Sequence, residues 1–109
     1  MHELAITQEV VETVAERCQG SRVLRVVLEI GKLSAVLPDA VRFCFDVCSQ
    51  GTNMEGAELD IIETPGSARC QACGAVVTME RVFGRCECGC SELDWLSGEE
   101  LRVREVEVV

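Results

Sequence analysis

Residues 70–90 read CQACGAVVTMERVFGRCECGC, and the parsing of the whole chain hangs on them. Cys70-Gln-Ala-Cys73-Gly74 has the spacing of a metal knuckle. Such a turn aims two sulfurs at one point, and glycine after the second cysteine supplies the positive φ that lets backbone amides face the thiolates. Cys86-Glu-Cys88-Gly-Cys90 follows after a spacer of hairpin length. Two such cysteine pairs suit a tetrahedral, four-thiolate structural zinc ribbon. In the second knuckle three cysteines compete for two places. Cys88 stands before Gly89 as Cys73 stands before Gly74, so it is the better-supported ligand. The predicted zinc set is Cys70, Cys73, Cys86 and Cys88, with Cys90 as the alternative fourth ligand.

On either side the composition changes. Thr64-Pro65-Gly66-Ser67 reads as a turn-rich break and Ser97-Gly98 as another. Between them apolar residues are scattered, and a segment so short needs a metal or a disulfide to hold a shape. Four thiolates on Zn(II) carry a formal charge of −2, which Arg69, Arg81 and Arg85 are placed to offset.

The chain holds eight cysteines. A secreted disulfide scaffold would use them differently, because five fall between Cys70 and Cys90. The opening MHELAITQEVVETVAER lacks a basic n-region, and Glu3, Glu9, Glu12 and Glu16 interrupt any apolar run. It has the features of neither a signal peptide nor a membrane span. A cytoplasmic protein is expected. The net charge of −9, from 10 Lys+Arg against 19 Asp+Glu, disfavours nucleic acid, whose phosphates need a basic footprint.

Upstream of the ribbon, Leu4, Val11, Val14, Ala15 and Cys18 form one helical stripe, widened by Ile6 and Val10, and Gly20 supplies the stop. Val23 to Ile30 alternates as a strand, with Leu24, Val26, Leu28 and Ile30 on an apolar face. Pro38 and Asp39 suit the first turn of a second helix. Val41, Phe45 and Cys48 then make one face, with Phe43 and Val47 beside it. Leu59 to Glu63 predicts a second strand. After Gly98, Leu101 and Val103 share one parity while Val106 and Val108 share the other, which predicts a bulge near Arg104-Glu105. The fold class is α+β: two helices on a small three-stranded sheet, with an inserted zinc-ribbon subdomain. The expected boundaries are 1–63 plus 98–109 for the α/β domain and 64–97 for the ribbon.

The chain has one histidine, His2. An α-amine, the amide nitrogen of His2 and its imidazole can close fused chelate rings around an ion that accepts square-planar nitrogen, as Ni(II) and Cu(II) do. The first N–H groups of a helix have no intrahelical partner, so ionising one for a metal breaks no helical bond. The bland alternative is a histidine that merely follows the start.

Met1-His2-Glu3-Leu4-Ala5, Leu28-Glu29-Ile30-Gly31, Phe43 to Phe45, the Cys70 knuckle and Gly98-Glu99-Glu100-Leu101 together resemble the HypA/HybF family of hydrogenase nickel-incorporation proteins. The resemblance implies a non-enzymatic nickel metallochaperone. It implies Ni(II) as cargo on the terminal amine, backbone amides and imidazole of Met1, His2 and Glu3, and structural Zn(II) in the ribbon. The implied partners are a HypB-type GTPase and the [NiFe]-hydrogenase large subunit, with urease maturation served in part of the family. One departure stands out. The family's second knuckle is commonly C-P-x-C-G-S, whereas here it is one residue shorter and places Cys90 where that serine would stand.

Cys44 and Cys48, at i and i+4, read as small core residues, as does Cys18. Trp95 reads as a packing anchor. No phosphate loop and no Ser/His/Asp set is present, so catalysis has no candidate residues. A zinc-ribbon adaptor serving only protein contacts is the competing reading, and a thiol redox protein the third.

Overall fold

The computed structural model describes residues 2–109. Eight elements follow in order: α1 (Glu3–Arg17), β1 (Val23–Gly31), α2 (Pro38–Ser49), β2 (Glu58–Thr64), β3 (Gly66–Cys70), β4 (Val76–Met79), β5 (Leu93–Ser97) and β6 (Leu101–Val108). Two three-stranded sheets form, ordered β2-β1-β6 and β4-β3-β5. The chain divides into two compact units. One takes the residues up to Glu29, Val36–Ile62 and Arg102–Val109; the other takes Ile30–Ala35 and Glu63–Leu101.

In the first unit both helices pack on the sheet, as the apolar periodicities require. Val11 and Val14 of α1, Phe45 of α2, Val23 and Val26 of β1, and Met54 form its core. Cys18 and Cys48 pack against that cluster, in line with their reading as small core residues. Burial pushes the Cys48 thiol above its ordinary pKa. Val103 and Val106 of β6 both reach the cluster too, so the strand changes its inward parity where a bulge was expected.

Three apolar positions depart from the sequence reading. Leu4 is 55% exposed, because the α1 stripe runs one turn beyond the core that buries Thr7, Val11 and Val14. Phe43 is 73% exposed. At about 100° per residue it lies some 200° from Phe45, on the far side of α2. Leu24 is exposed while Val23 is buried, and from Val26 to Gly31 every β1 residue is buried, as suits a strand with neighbours on both edges.

Burial on both faces of β1 takes in a carboxylate. Glu29 accepts a hydrogen bond from Arg102 Nε at 2.7 Å and lies 3.3 Å from Arg104 Nη1, both on the neighbouring β6. Its side chain is 11% exposed, but the arginines are 70% and 58% exposed, so solvent screens the pairs. Glu29→Gln is therefore expected to cost about 1 kcal/mol in urea unfolding, the upper end for exposed pairs. A fully buried pair broken at one partner would cost about 3–5 kcal/mol.

In the second unit β3 is central and antiparallel to both neighbours. Gly66 to Arg69 pair with Met79 to Val76, and Ala68 to Cys70 with Trp95 to Leu93, with a register shift between Ser67 and Ala68. The core is small: Leu33, Ala68 and Met79, flanked by Val77 and Leu93. The turn-rich break expected at 64–67 is instead nearly continuous strand, interrupted only at Pro65. Pairing explains the difference. Gly66 and Ser67 meet Met79 and Thr78, and Ser67 Oγ lies 2.7 Å from Ser97 Oγ. Lys32 adds its N–H to the Thr64 carbonyl at 2.8 Å and its ammonium to Glu80.

Candidate metal centres

Strand β3 ends at Cys70, and the backbone turns at once: Gly74 N–H donates to Cys70 O at 2.9 Å. Gly74 has φ 76°, the left-handed value that the knuckle reading requires. In the second knuckle Gly89 N–H donates to Cys86 O at 2.8 Å and Gly89 has φ 93°. These two turns bring Cys70, Cys73, Cys86 and Cys88 together, with all four sulfurs within 4.8 Å of one another. Cys70 Sγ lies 3.6 Å from Cys88 Sγ, and Cys73 Sγ lies 3.5 Å from Cys86 Sγ. A tetrahedron with Zn–S bonds of about 2.3 Å spaces its sulfurs by a little under 4 Å, so the donor set fits zinc.

Cys90 stands outside that group. Its sulfur accepts the Glu92 N–H at 3.3 Å, and its carbonyl accepts the Cys86 N–H at 3.0 Å, closing the second knuckle through backbone.

The amides reach the sulfurs as well. The N–H of Cys73 pulls the Cys70 thiol down, and the Ala72 N–H helps against burial, to a pKa of about 6. Cys88 receives the Cys90 N–H, which pulls it down, but its own S–H donates toward the Cys70 and Cys86 sulfurs, and losing that proton would break those bonds, which pushes it up to about 12. Cys73 is drawn down by Ala75 N–H yet raised on balance by Cys86 and Cys70. Two arginines reach the knuckles at their glycines: Arg69 Nη1 donates to Gly74 O and Arg85 Nη1 to Gly89 O, each at 3.1 Å. One arginine thus braces each knuckle, a detail that spacing alone did not reveal.

Beside the thiols, Met79, Val82, Phe83, Leu93 and Trp95 line an open groove of about 710 Å³. Trp95 is half-exposed there.

The second predicted centre lies at the start of α1. Met1 falls outside the described residues. His2 is the exposed N-cap, with φ −104° and ψ 65°, and its carbonyl accepts the Ile6 N–H at 3.0 Å. The amides before Ile6 precede that first helical bond. Glu3 is not idle: its Oε2 accepts the N–H of Leu37, the N-cap of α2, at 3.1 Å. That bond, first, and the Glu3 N–H hold the carboxyl below its usual pKa. Leu37 was not among the sequence candidates, and no local pattern announces it. No helix among the described residues is long and apolar enough to cross a membrane.

Two helices on a sheet, interrupted by a four-thiol ribbon, define a small α+β protein with a cysteine metal centre. Comparison with known proteins places it further. The profile of the family described as "Hydrogenase/urease nickel incorporation, metallochaperone, hypA" matches residues 1–108. The chain belongs to this HypA family. Among its relatives are the hydrogenase maturation factor HypA of a Nostoc species, 58% identical over 108 residues covering 99% of this chain and 96% of the relative. That of Geobacter sulfurreducens is 49% identical over 109 residues, covering 99% of each. The solution structure of the Ni metallochaperone HypA from Helicobacter pylori shares the fold, with a TM-score of 0.66 at 24% identity over 100% of this chain and 98% of that one. A second HypA solution structure has a TM-score of 0.67 at 25% identity, covering 100% and 97%.

Proposed function

We propose that this protein binds Ni(II) through nitrogen donors of Met1, His2 and Glu3 and delivers it to the large subunit of [NiFe]-hydrogenase during maturation. Structural Zn(II) is held by Cys70, Cys73, Cys86 and Cys88. The reading makes the chain a carrier rather than a catalyst, working in the cytoplasm with a HypB-type GTPase, and with urease maturation as a further outlet. Its main support is the family match along the chain together with an exposed His2 at the N-cap of α1. The donor types argue in the same direction. An imidazole with adjacent amides suits a square-planar ion, whereas four clustered thiols suit a closed tetrahedral site.

The test is a pair of metal titrations. His2→Ala is expected to lower Ni(II) affinity by about a hundredfold or more, the scale on which a linked donor surpasses a separate one. Zinc content should stay that of the parent. A short N-terminal extension should have the same effect if the terminal amine is a ligand. Equal nickel affinity in all three proteins would leave the zinc-ribbon adaptor as the surviving reading.

A further inference from the structure

The Glu3 carboxylate and the Leu37 amide lie 34 residues apart in sequence, yet they form a hydrogen bond of 3.1 Å. The two groups mark the beginnings of the two helices: Glu3 is the first residue of α1 and Leu37 the N-cap of α2. Neither helix has a side-chain cap of its own kind, since His2 and Leu37 make no capping hydrogen bond. Pro38 brings no N–H to the first turn of α2. The Leu37 N–H is thus the donor that α2 offers just ahead of that turn, and an acceptor carried by α1 takes it. Just upstream, Ala35 has φ 63°, a value that non-glycine residues avoid. The lead-in to Leu37 is therefore held in a conformation that the local sequence does not prefer.

We propose that Glu3 is a positioning residue for the nickel-carrying end: its carboxylate, bonded to the Leu37 N–H, ties the start of α1 to the start of α2 and orients His2. This inference rests on the nickel reading above for its consequence, but the tie itself is independent of any metal. An acceptor already committed to Leu37 leaves position 3 to supply the metal with its backbone, while the side chain sets where that backbone sits. A tethered start of α1 also loses less freedom on chelating an ion, because part of the ordering is already done.

Three variants of the full-length, zinc-loaded protein separate this from its rivals. Glu3→Ala removes the acceptor, Leu37→Pro removes the donor at a φ of −87°, a small rotation from the range proline takes, and Glu3→Gln keeps a neutral acceptor. First, without nickel, amide exchange is followed by NMR. Glu3→Ala is expected to speed exchange at Leu37 by about tenfold, with the core amides of Val11 and Val26 unchanged. Next, nickel alone is titrated. Glu3→Ala and Leu37→Pro are each expected to weaken binding by about threefold to tenfold, the range for one ordinary hydrogen bond, since the Glu3–Leu37 bond is exposed. The double variant should be no weaker than either, because both remove the same bond. Glu3→Gln should recover most of the loss, and the visible d–d band of the bound nickel should stay in place throughout.

An unchanged Leu37 exchange rate in Glu3→Ala overturns the proposal. So does parent-like affinity in Leu37→Pro beside a weakened Glu3→Ala, or a d–d band displaced by Glu3→Gln, since either makes the carboxylate itself a ligand. Retention of nickel by His2→Ala is a different failure. It removes the nickel reading and leaves the exchange experiment to judge the tie.

Discussion

Stripping the metal from the four-thiol group is expected to unfold the β3–β5 unit while leaving the helical unit folded. The asymmetry follows from what each unit buries. The helical unit has Val11, Val14, Val23, Val26, Phe45 and Met54 in one cluster, whereas the ribbon unit has Leu33, Ala68 and Met79. A buried aliphatic side chain stabilises by about 1.5–3 kcal/mol, and alanine by less. A structural zinc contributes about 10–16 kcal/mol at neutral pH in small fingers. The metal outweighs that core. A chelator titration followed by NMR should show the Ala68 and Met79 resonances collapse toward random-coil positions while those of Val26 and Phe45 persist. Cys70→Ser should act in the same direction. A ribbon that keeps its chemical-shift dispersion without metal would refute the zinc-held reading.

Proton competition gives this result a pH dependence. Zinc binds thiolates, so affinity falls as pH falls and the sulfurs take up protons. Relative to the unfolded chain, the folded arrangement shifts the protons of its sulfurs with opposite signs. Cys70, lowered from 9.0 to about 6, favours the folded ribbon at high pH and loses that contribution as pH falls through about 6. Cys88, raised to about 12, favours it below 9.0 and loses that contribution as pH rises through about 12. Neutral pH lies between the two, where Cys70 is ionised and Cys88 protonated, so loading zinc there must expel protons.

Gly31→Ala is expected to destabilise the zinc-loaded protein by about 3 kcal/mol or more, the upper range for forced overpacking. A methyl group at Gly31 would overlap the carbonyl of Gly98 and sit 3.0 Å from Glu99 N. Backbone on both sides leaves no rotamer to relieve it. Hydrogen bonds also pin the strands there, with Gly31 N–H on Glu100 O and Leu33 N–H on Gly98 O, each at 2.8 Å. Gly98 in turn has φ 111° and abuts Gly66. A useful control is Gly74→Ala, where φ is 76° but nothing lies within 4 Å, so only the left-handed backbone is penalised, by about 1–2 kcal/mol. Guanidinium midpoints of the two variants would compare them. A Gly31→Ala midpoint equal to or above that of Gly74→Ala would show that the chain separates there at little cost.

Much of this was legible locally. A helical period is a property of neighbours on one chain, so α1, its stop at Gly20 and the start of α2 at Pro38 could be read directly. The C-x-x-C-G and C-x-C-G knuckles are equally local, since the positive φ at Gly74 and Gly89 lies within a turn of a few residues. What a period cannot say is how far the core extends beneath it. Leu4 and Phe43 are apolar residues on helices whose covered faces stop short of them, and only the packed sheet decides that. Gly66 reads as a turn residue until β4 and β5 flank it and make it a strand. The resemblance to a family supplied the N-terminal chelate, and no local pattern pointed to Leu37 as the partner of Glu3. The sequence determined where the candidate metal donors lie in the ribbon, because donor type and short spacing are written in the chain. The tertiary structure alone decided that Cys90 stays outside the four converging sulfurs, where the three glycines crowd, and what holds the start of α1, because those contacts join residues that only folding brings together.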